Sequence, residues 1–280
     1  MRPRRLLVAL IVAIALLALL PLSPGCLTPP AMMPALRVDA GLAVELYPPG
    51  TERVELLVED GTTLRGLFVP AEAGAPVVLH LLESSGSAAS LKYHYYALCE
   101  QLADLGYSSL LVDYTGVGAS DGSPSPRHLA RDATAMWGEA LRRAGDDPAR
   151  VVLRGISIGA LAAAHLLEPG TRPGATILVA PVRAESAVAR LAARRFNALA
   201  GWLAGGLYRD VSDVDLVEVL SVVQGPLLVV AGEEDFFLED AERRLLRAAV
   251  REAGGDWRTR TDGHIALTIA AHQVLSEEID

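Results

Sequence analysis

Two cysteines in 280 residues, at positions 26 and 99, leave no material for a disulfide framework. Aromatic residues are scarce at 5%, so any core has to be filled by aliphatic side chains. Basic runs are missing beyond the first five residues, and the net charge is −9 with a pI near 5.2. That balance speaks against nucleic acid and anionic surfaces as partners, which need clustered Lys and Arg. No set of His, Cys and Asp has the spacing of metal ligands, and no metal or cofactor is expected. Internal repeats are absent too. What is present is apolar: 51% hydrophobic against 21% charged residues supplies a sizeable core and excludes a disordered chain. The length suits one large domain.

The N-terminus stands apart. "MRPRR" carries three arginines, residues 6 to 20 are fifteen consecutive apolar residues, and "PLSPGC" follows. A charged start, an apolar run of this length and small residues after it read as a secretory signal over residues 1–25. Fifteen residues fall short of the roughly 20 that span a bilayer; an uncleaved anchor that includes Pro21 and Leu22 is the rival reading. Cys26, just after Gly25, resembles the lipid-bearing cysteine of a bacterial lipobox, although Ser23 and Pro24 replace the usual residues there. The expectation is an exported chain, held at a membrane by its signal or by a lipid on Cys26, or otherwise secreted or periplasmic. Cys99 lies in an amphipathic pattern and is expected to be a buried structural thiol. Residues 26–50 carry five prolines among 27–50 and little periodicity, which predicts a tether before a domain at 51–280.

Within that domain, two alternating runs flank Asp60-Gly61 and predict an antiparallel hairpin. A continuous apolar run at 75–83 predicts a buried strand, and the segments 108–114, 150–155, 175–181 and 225–232, with a short one at 256–261, predict further strands. Helical periodicity fills 91–106, 126–145, 159–170, 239–255 and 264–279. Strands alternating with helices of 10 to 17 residues call for an α/β fold, a mostly parallel sheet covered on both faces. Residues 183–224 break the rhythm. They are helical in pattern, carry Trp202, Leu203, Leu207 and Tyr208, and suggest a small lid over the strand ends; one crossover helix with a long loop is the plainer alternative.

The stretch "VVLRGISIGALAAAHLL" (151–167) places Ser157 between Gly155 and Gly159, where a strand runs into a helix. Such a turn exposes its central residue beyond the strand's carboxyl end, where ligands sit in α/β sheets. The following helix offers its first amides to a developing negative charge. This is the nucleophile-elbow pattern, in the strand–turn–helix context that it requires. A serine needs a base, and the base an orienting carboxylate. Asp235 follows the strand ending at Gly232, and His264 follows the last strand in "TDGH". Glu233 and Glu234 are rival carboxylates. His80, His94, His128, His165 and His272 are rival bases, but three of them fall inside regular elements.

Residues 51–280 resemble the α/β-hydrolase superfamily, close to its serine aminopeptidase-like and lysophospholipase-like branches. Besides the elbow, "DYTGVGASDG" (113–122) is similar to the family's loop after the fourth strand, "GEEDFF" to its acid loop and "DGH" to its histidine loop. The resemblance implies Ser157 as nucleophile, His264 as general base and acid, and Asp235 as orienting carboxylate. It also implies an oxyanion site built from the amide of Ile158 and a second amide between Glu83 and Ser87, with Ser87 the assignment. Here the chain departs from the family, because Ser85-Gly86 stands where His-Gly is usual. The expected substrate is a small-molecule carboxylic ester, thioester or amide, with an ester of an acyl group favoured. An aminopeptidase would use Asp210, Asp213 or Asp215 for a substrate amine. A non-catalytic binding module is the reading from another class.

Overall fold

The computed structural model describes residues 44–84, 86–88, 95–167, 171–208 and 214–270. The predicted signal over 1–25, Cys26 and most of the tether lie outside these residues. In chain order the elements are β1 (Glu52–Leu57), β2 (Thr63–Val69), β3 (Val77–Leu81), α1 (Tyr95–Asp104), β4 (Ser108–Val112), α2 (Leu129–Arg143), β5 (Val151–Ile156) and α3 (Ile158–Leu167). They continue with β6 (Ala175–Val179), α4 (Ala184–Arg195), α5 (Ala198–Tyr208), α6 (Leu216–Val222), β7 (Leu227–Gly232), α7 (Asp240–Glu252), β8 (Asp256–Arg260) and α8 (His264–Ala270).

The eight strands form one sheet in the order β1-β2-β4-β3-β5-β6-β7-β8. β1 and β2 make the expected hairpin, with Leu57 opposite Thr63, and Gly61 supplies the left-handed turn at φ 82°. β2 runs antiparallel to β4, and every pairing from β4 to β8 is parallel. The α/β fold read from the alternation of runs is thus present. All residues of β3 and β4 are buried, as strands covered on both faces must be. At the far edge β8 is largely exposed and carries Asp256, Arg258 and Arg260, charges that blunt an open edge. α3 is apolar except for His165, and its other nine residues are buried. Cys99 is fully buried, and burial pushes its thiol up to about 12, in keeping with an inert packing role.

The folded unit begins earlier than residue 51, which shortens the expected tether. Tyr47 is buried, and its hydroxyl donates to the Ala88 carbonyl at 2.5 Å. Proline content suggested a tether, but one aromatic ring with a polar tip found both an apolar slot and an acceptor.

β3 and β4 are parallel neighbours, so the loops that leave them emerge side by side. Asp113, fully buried at the end of β4, clasps the two loops together. Its Oδ1 accepts from the Ala88 amide at 2.7 Å, and its Oδ2 accepts from the Ser87 hydroxyl at 2.9 Å and the Ala119 amide at 3.0 Å. Gly118 sits against this carboxylate at φ 54°, where a Cβ would lie 1.9 Å from Oδ2. Burial pushes the Asp113 carboxyl up from 3.8 to about 6, against the lowering effect of the three donors.

A raised folded-state value means that the stability contributed by protonated Asp113 is complete below its unfolded value and is lost as pH rises through about 6. Urea midpoints for wild type and Asp113→Asn at pH 4.5 and pH 7.5 should therefore show the wild type losing ground against the variant at the higher pH. A constant difference across that window contradicts the linkage. Gly118→Ala should cost about 2–4 kcal/mol in the same assay, from left-handed strain plus overpacking.

Candidate active site

The turn between β5 and α3 holds Ser157 at φ 54°, a region that residues with a Cβ enter only when their surroundings impose it. Here the surroundings are backbone. The Ser157 amide donates to the Val179 carbonyl of β6 at 2.9 Å, and the Ala160 amide donates back to the Ser157 carbonyl at 3.0 Å. Neither flanking glycine can carry a side chain: a Cβ on Gly155 would sit 2.6 Å from the Gly159 carbonyl oxygen, and one on Gly159 would sit 2.0 Å from that of Leu81 in β3. The first turn of α3 is therefore pressed directly onto the end of β3. The "GISIG" spacing is the signature of that contact.

Asp235 and His264 arrive from the loops after β7 and β8. A Cβ on Gly232 would lie 2.2 Å from the Asp262 carbonyl oxygen, so these two loops touch through bare backbone. The His264 Nδ1–H donates to Asp235 Oδ2 at 2.7 Å, which leaves Nε2 to accept from the Ser157 hydroxyl at 2.8 Å. The remaining oxygen of Asp235 accepts from the Phe237 amide at 2.8 Å. The Asp235 side chain is fully buried and that of His264 is 10% exposed, so water is kept from the bond between them. Phe237 closes the imidazole from one side, with ring centroids 4.7 Å apart and an edge-on angle of 69°.

The rival residues lie elsewhere. Glu233 and Glu234 are exposed. His80 is buried in β3 beside Ser109, 3.3 Å away. His128 ends a single turn of tighter helix ahead of α2, and His165 lies in the last turn of α3. His94 and His272 fall outside the described residues.

Of the expected oxyanion residues, Ile158 is the first residue of α3, where backbone amides have no acceptor within the helix. Ser87 is fully buried and its hydroxyl is engaged by Asp113; Ser85 lies outside the described residues. Sequence reasoning missed what shapes this loop from beneath. Tyr95 donates its hydroxyl to Glu83 Oε2 at 2.5 Å, and a Cβ on Gly86 would come within 2.9 Å of all three atoms of the Glu83 carboxyl group. The signal was present as a glutamate inside an apolar run, a residue that is almost never buried without a partner.

Also missed was Arg190 on α4. Its guanidinium donates to the Phe237 carbonyl at 2.5 Å, to Glu239 Oε1 at 3.1 Å and to Glu242 Oε2. Because Phe237 touches both Asp235 and His264, Arg190 ties α4 to the loop that holds the acid and the histidine. From α7, Arg243 grips the same loop at the carbonyls of Glu233 (2.9 Å) and Leu238 (3.1 Å). Burial pushes the Glu242 carboxyl up, but donors from Ser186, Arg190 and the Glu239 amide outweigh it and hold the group below its usual range. Asp215 caps α6 through the Val217 amide at 2.9 Å, the structural use of that aspartate. Asp210 and Asp213 lie outside the described residues. Trp202 faces solvent at 73% exposure and Leu203 is half-buried.

The chain resembles several known proteins. Residues 84–221 match the family model described as serine aminopeptidase, S33. The Mycobacterium tuberculosis protein Rv2307c is 32% identical over 211 residues, 74% of this chain and 70% of its own length. The Escherichia coli protein YfhR is 28% identical over 190 residues, 67% of this chain; the matched stretch spans 64% of YfhR. A lysophosphatidylserine lipase, ABHD12 of Danio rerio, is 33% identical over 114 residues, 39% of this chain and 29% of its own length. Among solved structures, the Pyrococcus furiosus esterase Pf2001 superposes with a TM-score of 0.67 at 19% identity, over 88% of this chain and 94% of that one, a likeness of fold. The chain belongs to the α/β-hydrolase superfamily and resembles its S33 serine aminopeptidase branch.

Proposed function

We propose that this hydrolase cleaves a carboxylic ester through an acyl-enzyme on Ser157. The observation that carries the reading is the continuous hydrogen-bonded chain Ser157–His264–Asp235. His264 Nε2 takes the Ser157 proton as Oγ attacks the carbonyl carbon, and Asp235 stabilises the imidazolium that forms. The charge that develops on the carbonyl oxygen is met by the Ile158 amide at the start of α3 and by a second amide of the β3–α1 loop, assigned to Ser87. His264 then protonates the departing alkoxide. In the second half it deprotonates a water molecule, which releases the acid and restores Ser157.

An acyl ester is favoured over a peptide. ABHD12 is by its name a lipase, and Asp215, one of the three aspartates that could meet a substrate amine, is spent as a helix cap. α4 and α5 form a lid beside the entrance, held to the acid loop by Arg190. The N-terminal apolar run exports the chain, and a lipid on Cys26 or the run itself keeps it at a membrane. The substrate is a small molecule.

A fluorophosphonate probe should label the wild-type chain, and Ser157→Ala should abolish labelling. His264→Ala should slow it by at least ~10³-fold and Asp235→Asn by ~10³- to 10⁴-fold. No labelling of folded wild type would leave a binding module as the better reading. In a parallel panel, nitrophenyl esters of increasing acyl length should turn over with a preference for the longer chains, while aminoacyl nitroanilides stay intact. Faster cleavage of the nitroanilides would replace the esterase assignment with an aminopeptidase.

A further inference from the structure

α5 reads "ALAGWLAGGLY", eleven residues without one charged side chain. A helix that is apolar on every side belongs inside a protein or against a membrane, and α5 is only half inside. Its inner face is built from small residues. Ala200 and Ala204 are buried, and a Cβ on Gly201 would lie 2.6 Å from the Ala193 Cβ and 2.7 Å from the Ala189 carbonyl oxygen of α4. The two helices therefore meet almost backbone to backbone. Two large residues point outward: Leu199 is 64% and Trp202 73% exposed, three residues apart on one face, and Phe196 at the α4–α5 corner is 45% exposed. Two residues before Phe196, the Arg194 guanidinium stands 5.2 Å over the ring of Phe236, itself 40% exposed.

Scattered apolar side chains on a surface need no explanation, whereas a contiguous group with a cationic rim marks a contact site. From ordinary side-chain areas, Phe196, Leu199 and Trp202 together expose roughly 400 Å². A stable dimer needs about 800 Å² from each partner, so a second copy of this chain is a poor fit. A bilayer fits better, since each of its contacts can be small if the protein is already held nearby. The chain carries the means in its own sequence: the fifteen-residue apolar run at 6–20 lies 23 residues, 21 to 43, ahead of the described domain. At full extension those residues reach about 80 Å, which keeps the domain at high effective concentration beside whatever surface the N-terminus enters. Tryptophan favours the headgroup boundary, and Arg194 suits lipid phosphate. The domain's acidity leaves apolar contact as the main attraction.

We propose that the outer face of α5, with Phe196 and the Arg194–Phe236 pair, is a membrane-contact surface that lies in the headgroup boundary of a phosphatidylcholine-type bilayer. The contact is peripheral, because among the described residues no helix is long and apolar enough to cross a membrane. This inference rests on the proposed membrane attachment of the N-terminus and is independent of the esterase reading. It also orients the protein: Phe236 adjoins Asp235, so the acid loop faces the lipid.

The test uses the full chain with phosphatidylcholine vesicles and with vesicles whose acyl chains carry bromine, which quenches tryptophan by contact. Trp202 is one of three tryptophans, and Trp202→Phe is mild at an exposed site. The expected result is that wild type and variant both float with vesicles, bromine near the headgroups quenches wild type more than bromine deeper in the chains, and the quenching disappears in Trp202→Phe. Leu199→Glu should weaken the quenching of Trp202 while leaving the thermal transition in place. Flotation with identical quenching in wild type and Trp202→Phe would overturn the contact surface but keep the N-terminal attachment. Failure to float would overturn both. A blue-shifted Trp202 emission without lipid overturns the proposal as well, assigning the face to a second copy if the shift depends on concentration and to residues 6–20 if it does not.

Discussion

Everything at this site depends on the contact between the first turn of α3 and the end of β3. The Gly159 Cα sits so close to the Leu81 carbonyl that no side chain fits between them, and this closeness forces the chain at Ser157 into the left-handed region. Ordinary packing would place side chains at such a crossing and hold the helix about 10 Å from its neighbour. Removing them lets the helix start at the strand's end, with its amides and the serine hydroxyl at one point. The alanine-rich, almost fully buried α3 continues the same logic, since small residues keep the helix tight against the sheet beneath the turn.

A second constraint is electrostatic. Among the buried carboxylates around the carboxyl ends of the strands, three aspartates are each made tolerable by donors rather than by one large cation. Asp113 takes the Ala88 and Ala119 amides and the Ser87 hydroxyl. Asp132 takes the amide of Thr115 at 2.7 Å and its hydroxyl at 3.0 Å, with Arg131 at its edge. Asp235 takes the Phe237 amide and the His264 imidazole. Buried charge without such partners would be costly; with them, each aspartate fastens a loop that carries no regular hydrogen-bond ladder. The site is thus built from irregular backbone held rigid by carboxylates.

The helices between β6 and β7 add a third layer. α4 reaches the acid loop through one arginine and reaches α5 through glycine and alanine, so the pair is anchored on one side and bare on the other. Arg190 and Arg243 share the loop between β7 and α7, one from each flank. Displacing α4 would therefore act on the Phe237 backbone, and through Phe237 on both the acid and the imidazole.

Periodicity alone determined the α/β class, the hairpin at Asp60-Gly61 and nearly every strand, because buried strands read as mostly apolar segments and turns as glycines. Chain order and loop position narrowed the site to Ser157 and the loops after β7 and β8, since glycine spacing reports backbone closeness and strand ends report exposure, and the family resemblance chose Asp235 and His264 within those loops. Other features belonged to the tertiary structure. That Asp113 clasps Ser87, that Glu83 is met by Tyr95, and that Tyr47 joins the domain depend on partners 12 to 41 residues away, which no local pattern encodes. Arg190 reads in sequence as one of several arginines on a helix. The apolar residues of α5 were legible as a group but not their direction: a helix without a charged side chain has no amphipathic signal, and only its packing against α4 decided that Ala200, Gly201 and Ala204 turn inward while Leu199 and Trp202 face out.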